Sequence, residues 1–304
     1  MNKLIYIVLV AIFYIPNSFV FCQSTLAPGD IAIFGVNADN PDDFGFVLLV
    51  DIEADTEIRF TDSGWEDDNT FRGNEGCQKY TSPSSLSSGT EITFTGNSAD
   101  FAADNDATVG TNGFNLSSSG DQVFAFQGSS GNPTFIYAVQ TNSTLWQSNS
   151  TGSTNSALPL GLTNGVNAVA VGAGTGSGSE YDNAAYDKST MTGTASALLS
   201  AISNNSNWDG NNATSFTLTD YDFTYTATAG RWIGASSSTW STSSNWDDGS
   251  VPSSSTDVII LVSASNYPEI SGDASTPSEC DDLTIQTDAT LTVPVDKCLT
   301  VNGN

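Results

Sequence analysis

The sequence predicts an all-β protein: a β-sandwich with one short helix, followed by the first coils of a parallel β-solenoid. Three observations carry this. Short apolar or alternating runs recur between Gly, Asn, Asp and Ser clusters across residues 24–229, the pattern of strands separated by turns. Near the end of that zone Phe216, Leu218, Tyr221, Phe223 and Tyr225 fall mostly at period two, which gives an extended segment one buried face. Beyond residue 230, Leu283-Thr284-Ile285, Leu291-Thr292-Val293 and Leu299-Thr300-Val301 repeat at a step of eight residues.

Residues 1–22 read as a secretory signal peptide. Lys3 precedes an apolar run from Leu4 to Ile15, ended by Pro16 and Asn17. That run suits a signal and is short for a membrane span. Val20 and Cys22 take the −3 and −1 positions of a cleavage before Gln23. An uncleaved anchor and a lipidated Cys22 are the alternatives, although Phe-Val-Phe before Cys22 is a poor lipidation context. The expectation is a secreted chain, extracellular or at the cell surface, with no membrane insertion after signal cleavage.

The sandwich domain spans 23–229. Strands are expected at 30–36, 45–52, 57–61, 91–95, 122–127, 134–139, 168–171 and 215–225, where β-branched and aromatic residues concentrate. The one helix is expected over 194–204. There Ala195, Leu198, Leu199 and Ile202 make an apolar stripe, and Thr194 or Thr192 can cap it. Segments 147–157 and 172–180 read as loops. Residues 230–304 open with three tryptophans, Trp232, Trp240 and Trp246, expected to cap the solenoid entrance. In each later unit Leu and Ile or Val alternate with Thr, so the apolar residues share a side. Short identical strands at a fixed step describe the coils of a parallel solenoid, a hairpin meander being the alternative. Stacked coils need neighbours, so the chain is expected to be the N-terminal piece of a longer protein.

Charge narrows the function. There are 34 Asp and Glu, 7 Lys and Arg, and no His, a formal charge of −27. Without imidazole there is no Ser-His-Asp or Cys-His catalysis and no His-ligated metal. Such a charge repels a phosphate backbone, which argues against nucleic-acid partners. Cys77, Cys280 and Cys298 form no zinc pattern. Cys280 and Cys298 either pair, if their strands are neighbours, or are buried small residues.

Two chemistries remain. Carboxylates on turn-forming segments suit a hard cation such as calcium. Asp39, Asp42 and Asp43 make one candidate group and Asp100, Asp104 and Asp106 another. Neither has the spacing of a helix–loop–helix calcium loop, and solvated acidic loops are the alternative reading. Aromatic rings can stack on sugars. Trp65 and Trp146 lie beside loops and are the ligand-binding candidates; Trp208 is expected in the core. Arg72 and Glu75, in FRGNEG at 71–76, read as a structural pair. Glu is scarce for a two-carboxylate glycosidase, so no catalytic residue is assigned and the chain leans away from being an enzyme.

The stretch LAPGDIAIFGVNADNPDDFGFVLLVDIEADTEIRFTDSGW with FRGNEG, then GVNAVAVG at 165–172, DNAAYD at 182–187 and Asn207-Trp208, resembles an N-terminal module of large secreted Bacteroidetes proteins. The resemblance covers about residues 26–220. It implies a β-sandwich similar to lamin-tail-like domains, found beside extracellular enzyme or adhesive domains. Residues 231–304, with W-x-G, N-W, V-P and D-V-x-I, are similar to segments that open solenoid regions in such proteins. The expected function is a non-enzymatic surface or matrix protein acting in adhesion or polysaccharide contact. An accessory region of a larger extracellular enzyme and a structural spacer are the alternatives.

Overall fold

The computed structural model describes residues 23–39, 41–96, 98–104, 113–264 and 266–303. The expected signal peptide, residues 1–22, and Asp106 lie outside them. In chain order the sandwich strands are β1 (Ile31–Asn37), β2 (Asp43–Leu48), β3 (Glu57–Thr61), β4 (Cys77–Thr81), β5 (Glu91–Phe94), β6 (Phe101–Ala103), β7 (Gln122–Ser129), β8 (Asn132–Gln140), β9 (Ala168–Ala170) and β10 (Asn183–Tyr186). Next come β11 (Thr192–Gly193), helix α1 (Ala195–Ile202), β12 (Trp208–Asn211) and β13 (Thr224–Tyr225). One sheet has the order β12-β10-β1-β2-β5 and the other β6-β4-β3-β7-β8-β9. Within both sheets pairing is antiparallel except between β8 and β9.

The period-two pattern explains how the sheets are filled. Phe34, Phe44 and Phe46 of one sheet share a core with Phe60, Tyr80, Ile136 and Val139 of the other. Along β7, Val123 and Ala125 enter this core. Phe124 and Phe126 point the other way, into a second cluster with Trp65, Phe71, Phe135 and Ala168. The six-stranded sheet is therefore covered on both faces, which is why β7 reads as a nearly continuous apolar run. Gly35 and Gly45 lie opposite each other in β1 and β2. A Cβ at the first would strike Leu218 and at the second the Phe34 ring, so glycine lets those side chains lie flat on the sheet.

Helix α1 matches its expected stripe. Leu198 and Ile202 are buried and Leu199 is packed against the core. Thr194 is the N-cap, its side chain accepting from the Ala197 amide at 3.3 Å. The 215–225 strand is mostly absent: only Thr224 and Tyr225 pair, with β11. Asp220 and Asp222 have φ of 60° and 61°, a left-handed backbone that interrupts a ladder. Side chains hold the segment instead. Asn37 accepts from the Phe216 amide and donates to its carbonyl, while the Glu91 carboxylate takes the Tyr221 and Phe223 amides. The buried period-two face survives through Leu218, Tyr221 and Phe223.

The solenoid strands are β14 (Arg231–Trp232), β15 (Val258–Ile260), β16 (Ser278–Cys280), β17 (Leu283–Ile285) and β18 (Leu299–Val301). They stack in parallel rows: β14-β15-β17 in one and β16-β18 in another, with Thr239, Glu269 and Thr292 bridged in parallel between them. This gives the eight-residue repeat a finer meaning. Its three units are not three stacked coils; they are three successive sides of one coil, joined by corners. The rise to the next coil is longer, as Val258 pairs with Leu283. Leu283, Leu291 and Leu299 pack on the solenoid core, while Ile285, Val293 and Val301 are exposed.

Trp232, Trp240 and Trp246 fill this core with Val258, Ile260, Ile270 and Cys280. Trp246 meets Trp232 and Trp240 edge-on at 4.9 and 4.7 Å. Asn245, fully buried, closes the loop between them. It accepts from the Ser236 and Ser237 amides and donates to the Thr239 carbonyl and the Ser237 hydroxyl. Arg231 joins solenoid to sandwich: its guanidinium donates to the Tyr225 hydroxyl and to the Leu49 carbonyl, 3.7 Å from Asp247.

Although β16 and β18 are neighbours, Cys280 lies opposite Val301, so Cys280 and Cys298 are out of register and remain thiols. Cys280 and Cys77 are buried, Cys298 only partly, and burial pushes the Cys280 thiol up. In a chain beginning at Gln23, one thiol is expected to react with Ellman's reagent under native conditions and two more only after denaturation. Two or three rapidly reacting thiols would contradict this packing.

Candidate functional site

Two features stand out. The first is an acid-lined cavity of about 950 Å³ bordered by Asp42, Asp62, Arg72, Glu75, Phe114 and Asp121. Its carboxylates come from separate segments but share a task. The Asn115 amide donates to Asp62 at 2.7 Å, Leu116 to Asp42 at 2.9 Å and Ser117 to Asp121 at 2.8 Å. Three consecutive backbone donors are thus held by three carboxylates. The second Asp62 oxygen accepts from the Gly76 amide, and the second Asp121 oxygen from the Gln122 amide and side chain. Glu75 is paired with Arg72 at 2.7 Å and accepts from the Gly64 amide, the pair expected in FRGNEG.

Burial is the main cause of the electrostatics here. It pushes Asp62 up to about 6, against its backbone donors. It lifts Glu75 to about 7, with Arg72 pulling down and Asp62 adding to the rise. Burial raises Asp121 well above the usual carboxylate range and Asp42 above its ordinary value. The Arg72 Nε is buried without an acceptor among the described residues. Each of these carboxylates already holds a backbone donor, so the arrangement works as a clamp on residues 115–117.

The calcium candidates are dispersed into such bonds. Asp39 accepts from the Asn183 side chain, Asp43 from Asn37, and Asp42 belongs to the clamp. Asp104 is 2.6 Å from Arg59, and Asp100 is exposed. Among the described residues, no three or more Asp, Glu or Cys gather so as to hold a metal ion.

The second feature surrounds Trp146. Trp65, the other ligand-binding candidate, is instead core. It is 6% exposed, with Phe71 and Phe135 edge-on at 5.0 and 4.9 Å. Its place beside a loop hid the fact that β7 and β8 need a cover on their outer face. Trp146 is half-buried: one part of the ring rests on Phe124, and its Nε1 donates to the Asn164 side chain at 3.2 Å. Leu145, next to Trp146, and Val166, two residues past Asn164, are exposed, and Leu160 is 86% exposed. Trp208, half-buried, packs on the sandwich core and donates to the Ile202 carbonyl.

Asn164 also lines a groove of about 300 Å³ with Gly165, Ser200, Ser203, Asn204 and Asn205, where loop 163–167 meets the C-terminal end of α1. Its floor is tied down. The Ser203 hydroxyl donates to the Val166 carbonyl at 3.0 Å and lies 3.1 Å from the Tyr137 hydroxyl. A sequence signal for this face exists: residues 122–179 and 189–208 contain no Asp, Glu, Lys or Arg. The residues placed around Trp146 and the groove are thus amides, hydroxyls, exposed aliphatic groups and an aromatic ring, none of them charged.

The fold and these sites define an all-β protein with a sandwich, a parallel β-solenoid and an uncharged polar and aromatic face. A family model described as a domain of unknown function (DUF8693) matches residues 231–304, the solenoid. No curated protein and no solved structure matches the chain.

Proposed function

We propose that this chain is a secreted, non-enzymatic surface or matrix protein that contacts polysaccharide, in the manner of the lamin-tail-like modules of secreted Bacteroidetes proteins that its first part resembles. The observation that carries this reading is the uncharged face around Trp146. A sugar ring offers an apolar face and a rim of hydroxyls. An aromatic ring fixed by a hydrogen bond, next to amides and hydroxyls, complements both. The absence of charge on this face also suits contact with hydroxyl-rich polymers, because no buried ion has to be desolvated. The carboxylates of the acid-lined cavity are engaged with the backbone, which favours contact over hydrolysis.

Affinity electrophoresis in polysaccharide gels tests this. Retardation of the chain, with and without calcium, is expected without release of reducing ends. Trp146→Ala is expected to weaken retardation roughly tenfold, the scale of one stacking contact. Trp65→Phe, inside the core, should leave it unchanged. Equal retardation of wild type and Trp146→Ala would remove the face from consideration.

A further inference from the structure

We propose that the groove between loop 163–167 and the end of α1 is a glycosyl subsite that accepts neutral sugars and rejects uronate-bearing ones. It rests on the polysaccharide reading above and deepens it. The argument begins with the two amides. The Asn164 Oδ1 is occupied by the Trp146 indole N–H, and the Asn204 Oδ1 by the Ser206 amide at 3.1 Å. Using the acceptor oxygen fixes which way each amide points, so the Nδ2 groups are left as oriented donors. Ser200 and Asn205, both exposed, add a hydroxyl and a third amide. Two oriented amide donors, further exposed polar groups and no charge match the hydroxyl and ring oxygens of a pyranose.

The rejection follows from electrostatics. The groove lies at the carbonyl end of α1, the negative end of the helix dipole. No cation stands among its lining residues, and the sequence around it, 122–179 and 189–208, supplies none. The chain as a whole carries −27, so its field opposes any polyanion at a distance as well. A carboxylated sugar entering here would lose its hydration with nothing to pair it. A neutral sugar meets no such penalty. Trp146, linked to the groove through Asn164, provides the adjoining stacking position.

The experiment uses the chain from Gln23 to Asn304. Probes are four neutral polymers (a β-1,4-glucan, a galactomannan, a xylan and dextran) and two polyuronates (polygalacturonate and alginate). Wild type is expected to bind at least one neutral polymer and neither polyuronate at low salt. Ser200→Phe fills the groove from an exposed helix position and is expected to weaken neutral binding roughly tenfold. Asn205→Lys adds the missing cation and is expected to create binding to polygalacturonate that is lost at high salt. If Trp146→Ala abolishes binding but Ser200→Phe and Asn205→Lys change nothing, the subsite is overturned while the polysaccharide reading stands. If wild type binds polyuronates as well as neutral polymers, the selectivity is overturned. If wild type binds none of the six, both readings fall.

Discussion

Trp240→Ala is expected to destabilise the solenoid by about 3–5 kcal/mol, the usual cost of emptying a buried tryptophan site, and to abolish its near-ultraviolet circular dichroism. Trp240 is 1% exposed, stacked on Trp232 at 6.3 Å and edge-on to Trp246 at 4.7 Å, so little can collapse into the space. Phenylalanine replacements should rank the three rings differently. Trp232 Nε1 donates to the Asn266 carbonyl at 2.6 Å and Trp246 Nε1 to the Trp240 carbonyl at 2.8 Å. Trp240 Nε1 is buried without an acceptor among the described residues. Trp240→Phe therefore removes no hydrogen bond and relieves an unsatisfied donor. It should cost about 1 kcal/mol less than Trp232→Phe or Trp246→Phe. Urea denaturation of the three variants measures the order, and a Trp240→Phe as damaging as the others would show that its indole N–H has a partner.

The second large effect is a loss of stability as pH rises from about 4 to 7. Burial pushes Asp30, Asp43 and Asp62 up to about 6 and Glu75 to about 7, and raises Asp121 well above the ordinary carboxylate value. In the unfolded chain these groups return to ordinary carboxylate values near 4. Between those limits the folded chain binds more protons than the unfolded one, so stability falls with rising pH. The contribution is complete below about pH 4 and is lost as pH passes through 6 to 7. Asp30 and Asp62, the most enclosed of those with a stated value, would each account for on the order of 2–3 kcal/mol. Repulsion among the net charges acts in the same direction. Urea midpoints at half-unit steps of pH measure the slope, and Asp62→Asn should flatten it. A midpoint that rises from about pH 4 to 7 would mean that the clamp carboxylates ionise without penalty.

Much of the fold was legible because local chemistry and tertiary packing agree. Segments β1, β3, β7 and β8 have β-branched and aromatic residues at sheet spacing, and α1 has both stripe and cap. The short strands β4, β6, β10 and β12 were not legible. Asn183-Ala184-Ala185-Tyr186 and Trp208-Asp209-Gly210-Asn211 have little strand character of their own. They pair because β1 offers an open edge to β10, and β10 to β12. Segment 215–225 failed in the opposite sense. Its periodicity is real, but two aspartates with positive φ and side-chain bonds from Asn37 and Glu91 replace the ladder.

The site divides in the same way. Trp146 was legible from its place beside a loop, whereas the same argument misplaced Trp65, whose burial depends on a second core invisible in linear order. The acidic residues were legible as oxygen donors but not as partners of backbone amides, since those amides lie up to 74 residues away. The neutral face was written in the sequence as a stretch without charge. Total composition conceals it, because a net charge of −27 says nothing about where the charge is missing.

The solenoid rows have a consequence for how such a protein changes over time. Arg231 pairs with Ile259 and Val258 with Leu283 in one row, Thr239 with Glu269 and Glu269 with Thr292 in the next, and Ser278 with Leu299 in the third. These intervals are unequal, yet the strands stay in step. The surplus residues leave at the corners, where Ser, Asp, Gly and Pro accumulate. A corner can therefore lengthen or shorten without disturbing the tryptophan interior. Insertions and deletions among relatives of this segment should gather there, making the corners the variable surface of an otherwise invariant stack.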